Sequence, residues 1–138
     1  MSQTARFSVS LSGGLLKQFD QAWKAEGLPT RSEAIKALIR QTLVQKEWQS
    51  DGEVAGAIVL VYNHHEKALA NQLIDVQHDF SGLVVATQHA HLDHDHCLES
   101  IIAEGKAAEV ERLVKRLKSI KGLKHMDLMM TTTGKDVR

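Results

Sequence analysis

An α+β fold in two modules is expected, a short strand–helix–helix front followed by a βαββαβ back, and three observations carry that expectation. Hydrophobic periodicity changes along the chain, from strict alternation at the start to helical spacing and then to a mixed succession. Charge is divided: residues 1–50 hold seven Lys/Arg against four Asp/Glu, and the remainder holds ten against thirteen, although the 138 residues sum to zero. All eight histidines and the single cysteine lie after residue 63. A mildly basic, histidine-free front and an acidic, histidine-rich back suggest domains at 1–48 and 54–132.

In the front, Phe7, Val9 and Leu11 alternate with Arg6, Ser8 and Ser10, the period of a half-buried strand. Ser12-Gly13-Gly14 breaks it, with Ser12 placed to cap a helix. Leu15, Leu16, Phe19, Ala22 and Trp23 recur at helical spacing, and Gly27 ends that helix. Thr30-Arg31-Ser32-Glu33 has the form of a capping box. The second helix carries Ile35, Leu38, Ile39 and Leu43 on one stripe.

So few residues cannot enclose a core, and a lone strand leaves both edges unpaired. Pairing with a second copy resolves both, giving a two-stranded antiparallel ribbon over four helices. Such a ribbon fits the major groove of DNA and reads base edges with its outward side chains. Those are Arg6, Ser8 and Ser10. The unpaired N–H groups opening the second helix, near Arg31 and Ser32, suit a backbone phosphate. The low net positive charge weighs against DNA, because affinity depends on phosphate neutralisation.

Lys46 to Glu53 is polar, contains Gly52 and marks the change of charge sign, so it is read as the linker; Trp48 within it is expected to cover an apolar seam. Val54–Tyr62 is an apolar, β-branched strand. Glu66–Gln77 has helical spacing through Leu69, Leu73, Ile74 and Gln77. Leu83–His91 and Leu98–Ala103 form a hairpin, Ala107–Ser119 a helix with Val110, Leu113, Val114 and Leu117 on its stripe, and Lys124–Thr131 the last strand. This order is a ferredoxin-like layout, one sheet with two helices on one face.

The hairpin encloses Gln88-His89-Ala90-His91-Leu92-Asp93-His94-Asp95-His96-Cys97. In a strand His89 and His91 share a face at roughly 6.7 Å, so two imidazoles can converge on one ion and a thiolate past a short turn can join them. Imidazole with thiolate suits Ni, Cu, Zn or Co and poorly suits Mg or Ca. His78 ends a helix, and its local period points to a cap or surface position rather than a ligand.

An aliphatic composition, with 43% hydrophobic but only 4% aromatic residues, is that of a globular protein. The sequence has no run near the ~20 apolar residues of a membrane helix and no signal-peptide segment. One cysteine cannot build an internal disulfide framework, so a reducing compartment, the cytoplasm, is expected.

The sequence resembles the nickel-responsive repressors of the NikR family from Arg6 to about Met130. The resemblance rests on Arg6-Phe7-Ser8-Val9-Ser10-Leu11, Arg31-Ser32-Glu33-Ala34-Ile35, Val61-Tyr62-Asn63-His64-His65, Gln77-His78, His89-Ala90-His91 and Asp95-His96-Cys97-Leu98-Glu99. It implies dimeric ribbon–helix–helix domains flanking a central tetramer of ACT-type domains, operator DNA as partner, and no enzymatic activity. It also implies one planar Ni(II) per subunit, held by His89, His91 and Cys97 with His78 of the partner subunit. Glu99, Tyr62 and His64 would orient ligand imidazoles. His65, His94, His96 and His125 are read as surface residues or weak secondary metal sites. The family's second cation site uses acids matching Glu33 and the position of Ala37, and alanine cannot ligate.

Two other readings compete. His89-x-His91-x-Asp93-His94 spells the signature of metallo-β-lactamase-fold zinc hydrolases, although that fold needs a longer chain and further ligands downstream. An ACT-type regulator that senses an amino acid would leave the histidines incidental.

Overall fold

The computed structural model describes residues 3–138, which form α1 (Gly13–Ala25), α2 (Arg31–Gln49), β1 (Glu53–Asn63), α3 (Lys67–Asp79), β2 (Val84–His91), β3 (His96–Lys106), α4 (Ala107–Lys118) and β4 (His125–Thr132). These residues divide into two compact units, 3–39 and Arg40–Arg138.

In the first unit the expected caps form. Ser12 Oγ accepts the N–H of Leu15 at 3.2 Å, and Thr30 Oγ1 accepts that of Glu33 at 3.1 Å. The Glu33 carboxylate turns to Lys36 Nζ at 3.0 Å instead of reaching back to Thr30. The anticipated strand at Arg6–Leu11 is not formed in the single chain: residues 3–12 belong to no helix or strand. A strand exists through its ladder, and this one was expected to find its partner in a second copy. Phe7, Val9, Leu11, Leu15, Leu38 and Ile39 are accordingly exposed.

The second unit holds an antiparallel sheet of order β2-β3-β1-β4, the βαββαβ arrangement expected of it. Val54, Ile58, Leu60 and Tyr62 of β1 and Cys97, Glu99, Ile101 and Ala103 of β3 are buried on one face. Leu69, Leu73 and Val76 of α3 and Val110, Leu113, Val114 and Leu117 of α4 supply the other half of the core. Ile74, expected on the α3 stripe, is 63% exposed.

The linker expectation needs correction. Helix α2 continues through Gln49, leaving only Ser50–Gly52 as a turn. Trp48 explains the continuation: it is buried, and its indole N–H donates to the Thr131 carbonyl at 2.9 Å. Its ring lies over Gly56, where an added Cβ would come within 3.4 Å of it and 3.1 Å of Leu128. A polar stretch with one large aromatic is thus helix rather than linker. No helix among the described residues is long and apolar enough to cross a membrane.

Candidate metal centre

Strand register brings the expected donors into two adjacent rows. Cys97 lies opposite Tyr62 on β1 and His91 on β2, while Glu99 lies opposite Leu60 and His89. Residues directly opposite in an antiparallel pair share a face, so His89, His91, Cys97, Glu99 and Tyr62 all sit on the helix-bearing side. β2 is the edge strand and its residues from Val85 to His91 are exposed, whereas Cys97 and Glu99 one strand inward are 2% exposed.

Glu99 organises the donors. Its carboxylate meets His89 Nε2 at 2.7 Å and accepts from Gln77 Nε2 at 3.1 Å. Gln77 Oε1 in turn accepts the Thr87 hydroxyl at 2.7 Å. An imidazole that donates Nε2–H to a carboxylate presents Nδ1 as a lone pair, and His89 Nδ1 stands 3.9 Å from Cys97 Sγ. Burial pushes the Glu99 carboxyl above its ordinary value, while His89, Gln77 and Tyr62 draw it back down. Burial, then the Glu99 charge and Cys97, also raise the Tyr62 phenol, so its hydroxyl stays protonated beside both groups.

The other expected residues are placed as follows. His64 bonds the His94 carbonyl through Nε2 at 2.7 Å and meets the His91 ring edge-on at 4.9 Å between centroids. It therefore touches a candidate ligand but does not hydrogen-bond it, unlike Glu99. His78 is exposed in the last turn of α3, and its carbonyl accepts the N–H of Ser81. In the front unit Arg6, Ser8, Ser10 and Ser32 are exposed. Arg31 is committed to Asp20, with Nη2–Oδ2 at 2.7 Å and Nε–Oδ1 at 3.0 Å. Hydrogen bonds from Arg31 and Trp23 hold the Asp20 carboxyl down at about 2.

Gln77 is the contributor that sequence reasoning did not assign to the site. Its signal was present: a polar residue four positions after buried Leu73, on the apolar stripe of α3.

The donor set fits a soft-to-borderline metal ion. An ion roughly 2.3 Å from sulfur and roughly 2.0 Å from nitrogen spans at most about 4.3 Å, and Sγ and Nδ1 are 3.9 Å apart. The partnered carboxylate behind His89 is the usual support of a metal-binding imidazole. In the hydrolase-like signature, by contrast, Asp93 is occupied with the turn. Its Oδ1 accepts the N–H groups of Asp95 and His96 at 2.8 Å each and faces His96 Nδ1 at 3.0 Å. Of these, the backbone bond from His96 does most to hold the Asp93 carboxyl down at about 2.

Comparison with known proteins adds family evidence to this geometry. Residues 55–131 match the NikR C-terminal nickel-binding domain, and residues 5–46 match ribbon–helix–helix proteins of the copG family. A protein of Syntrophus aciditrophicus named as a nickel-responsive regulator is 49% identical over 97% of this chain and 98% of its own length. One of Chlorobium phaeobacteroides, named likewise, is 47% identical over 96% and 98%. Among solved structures, an uncharacterized protein from Thermotoga maritima superposes with TM-score 0.51 at 14% identity, covering 56% of this chain and 96% of the other. That last likeness concerns the fold alone.

Proposed function

The chain belongs to the nickel-responsive regulators, and from that premise we propose that it binds one Ni(II) per subunit through His89, His91 and Cys97, with His78 of the partner subunit as fourth donor. It is a transcriptional regulator with a ribbon–helix–helix DNA-binding module, not an enzyme, so the zinc-hydrolase reading of His89-x-His91-x-Asp93-His94 falls. The finer assignments that follow are inferred. Residues 1–48 bind DNA, residues 54–132 bind nickel and tetramerise, and the protein works in the cytoplasm, where Cys97 stays reduced.

The observation that carries the metal assignment is His89, fixed on Nε2 by buried Glu99 and turned by Nδ1 toward Cys97 at 3.9 Å. Nickel, when bound, would supply a borderline-soft centre suited to imidazole and thiolate donors. Cys97 would hold it as the thiolate, so affinity should rise with pH. Glu99 and Gln77 hold His89 at a set angle, lowering the reorganisation needed at binding. The exposure of His89 and His91 on the edge strand β2 supports completion of the site from a second subunit.

Arg6, Ser8 and Ser10 read base edges in the major groove once two copies pair, and the N–H groups of Arg31 and Ser32 receive a phosphate. The Arg31 guanidinium is already engaged by Asp20, so its main-chain N–H carries that contact. Joining donors from two chains favours those arrangements of the homotetramer in which both ribbons reach operator half-sites, a population shift that produces repression. In a gel-shift titration at fixed salt, nickel is expected to tighten operator binding; unchanged affinity sinks the reading. Cys97→Ala should abolish the thiolate–nickel absorption band, and a surviving band would mean that nickel is held by other ligands.

A further inference from the structure

His78 stands in the last turn of α3, where a helix has the fewest backbone bonds to hold it. On one side it follows Gln77, whose amide is tied to Glu99 and Thr87. The other side is held from the second helix of the unit. Arg116 lies in the last turn of α4, and its Nη2 donates to Asp79 Oδ2 at 3.0 Å. The same guanidinium stands over the ring of Phe80, 5.8 Å from its centroid. Phe80 is half-buried against the core, and its N–H donates to the Val76 carbonyl at 3.1 Å. Its own carbonyl accepts the N–H groups of Leu83 and Val84 at 2.9 Å and 3.2 Å, leading the chain into β2. One planar cation thus grips the two residues that directly follow His78.

We propose that Arg116 is a positioning residue for nickel binding: by clamping Asp79 and Phe80 it fixes the last turn of α3, and with it the direction in which His78 is offered to a second subunit. The inference rests on the reading of His78 as a donor. Arginine suits the task because its flat guanidinium covers an aromatic face while an N–H at its edge reaches a carboxylate; a lysine ammonium is a point charge and serves the two less well. The clamp matters because a donor that is competent in only a fraction of its orientations binds with affinity reduced by that fraction. Arg116 and Asp79 are both exposed, and an exposed ion pair and a cation–π contact each contribute modestly. The expected loss is therefore a factor, not abolition. A cation in the last turn of α4 also complements that helix's own dipole, an effect that does not pass through His78 and that the test separates.

The test uses the full chain, with Ni(II) affinity measured by competition with a chelator and the thiolate–nickel absorption band followed at saturating metal. Arg116→Ala is expected to weaken Ni(II) roughly three- to tenfold, while the band persists and shows that the variant folds. Arg116→Lys should recover only part of the loss. In a His78→Ala background Arg116→Ala should have no further effect, because the group it acts through is gone. Wild-type affinity in Arg116→Ala beside a weakened His78→Ala overturns this inference and leaves the donor assignment standing. An equal loss from Arg116→Ala with and without His78 also overturns it, since that is the mark of a purely structural role. Wild-type affinity in His78→Ala removes the donor assignment, and this inference with it.

Discussion

The two units of this chain carry their apolar side chains in opposite ways. Residues 40–138 close a core on themselves, with Ile58, Leu60, Ile101, Leu113 and Leu117 fully enclosed between sheet and helices. Residues 3–39 present Phe7, Val9 and Leu11 at 67%, 64% and 47% exposure. Burying an apolar side chain is worth roughly 1.5–3 kcal/mol, so the second unit has its stabilisation in hand as a single chain. The first leaves its apolar row uncovered in the single chain, as the proposed pairing with a second copy requires. On that proposal, the difference separates a unit whose folding calls for a partner from one that closes alone.

The sharpest probe of the self-contained unit is Leu113→Ala. A fully buried leucine truncated in a packed core should cost about 2–5 kcal/mol in denaturant unfolding. A loss below about 0.5 kcal/mol would mean the core is not closed as described. Phe7→Ala examines the other side of the contrast. On a surface that stays exposed it should change stability by less than about 0.5 kcal/mol. Pairing of two copies predicts a cost of about 3 kcal/mol and weaker operator binding in a gel shift, and a silent substitution would leave the ribbon without support.

Within the second unit, Glu99→Gln separates packing from metal support, since the shapes are nearly equal. Removing a carboxylate behind a metal-binding imidazole typically weakens affinity roughly 10–100-fold, and competition with a chelator for Ni(II) would read it. Equal affinity in wild type and variant would make Glu99 a core residue only. The smallest effect belongs to the Asp20–Arg31 pair. The Asp20 carboxyl is depressed from 3.8 to about 2, so the pair's stabilisation is fully present above the ordinary value. It is lost as pH falls through the folded value. Acid titration followed by Trp23 fluorescence should show a step there that Asp20→Asn lacks, damped by salt because the pair is near the surface.

Much of this was legible in the residues themselves. Alternation and helical spacing located every element of the second unit, because its core is closed within one chain and burial follows local period. Ile74 and Lys46–Glu53 escaped for the same reason, seen from its other side. An apolar residue at a permitted angle need not face the core, and Trp48 docks on β1 and β4 by contacts far away in sequence. That Glu99 would orient a ligand imidazole was implied by the resemblance, without saying which one; the share of Gln77 was not expected, since a glutamine on an apolar stripe reveals its partner only once β2 and β3 are in register. The role proposed for His78 could not come from local pattern, because one chain's periodicity cannot name a donor whose counterpart would lie on another molecule.

Gln77 and His78 are consecutive on α3, and this adjacency has a mechanical meaning. The Gln77 amide is gripped at both ends, by Thr87 of the edge strand and by Glu99 beneath it, so it acts as a rotational stop for the last turn of the helix. The same polar string that sets the tilt of His89 therefore sets the bearing from which His78 leaves the domain. If His78 serves a neighbouring subunit as proposed, one subunit would thus calibrate both the socket it offers and the plug it extends.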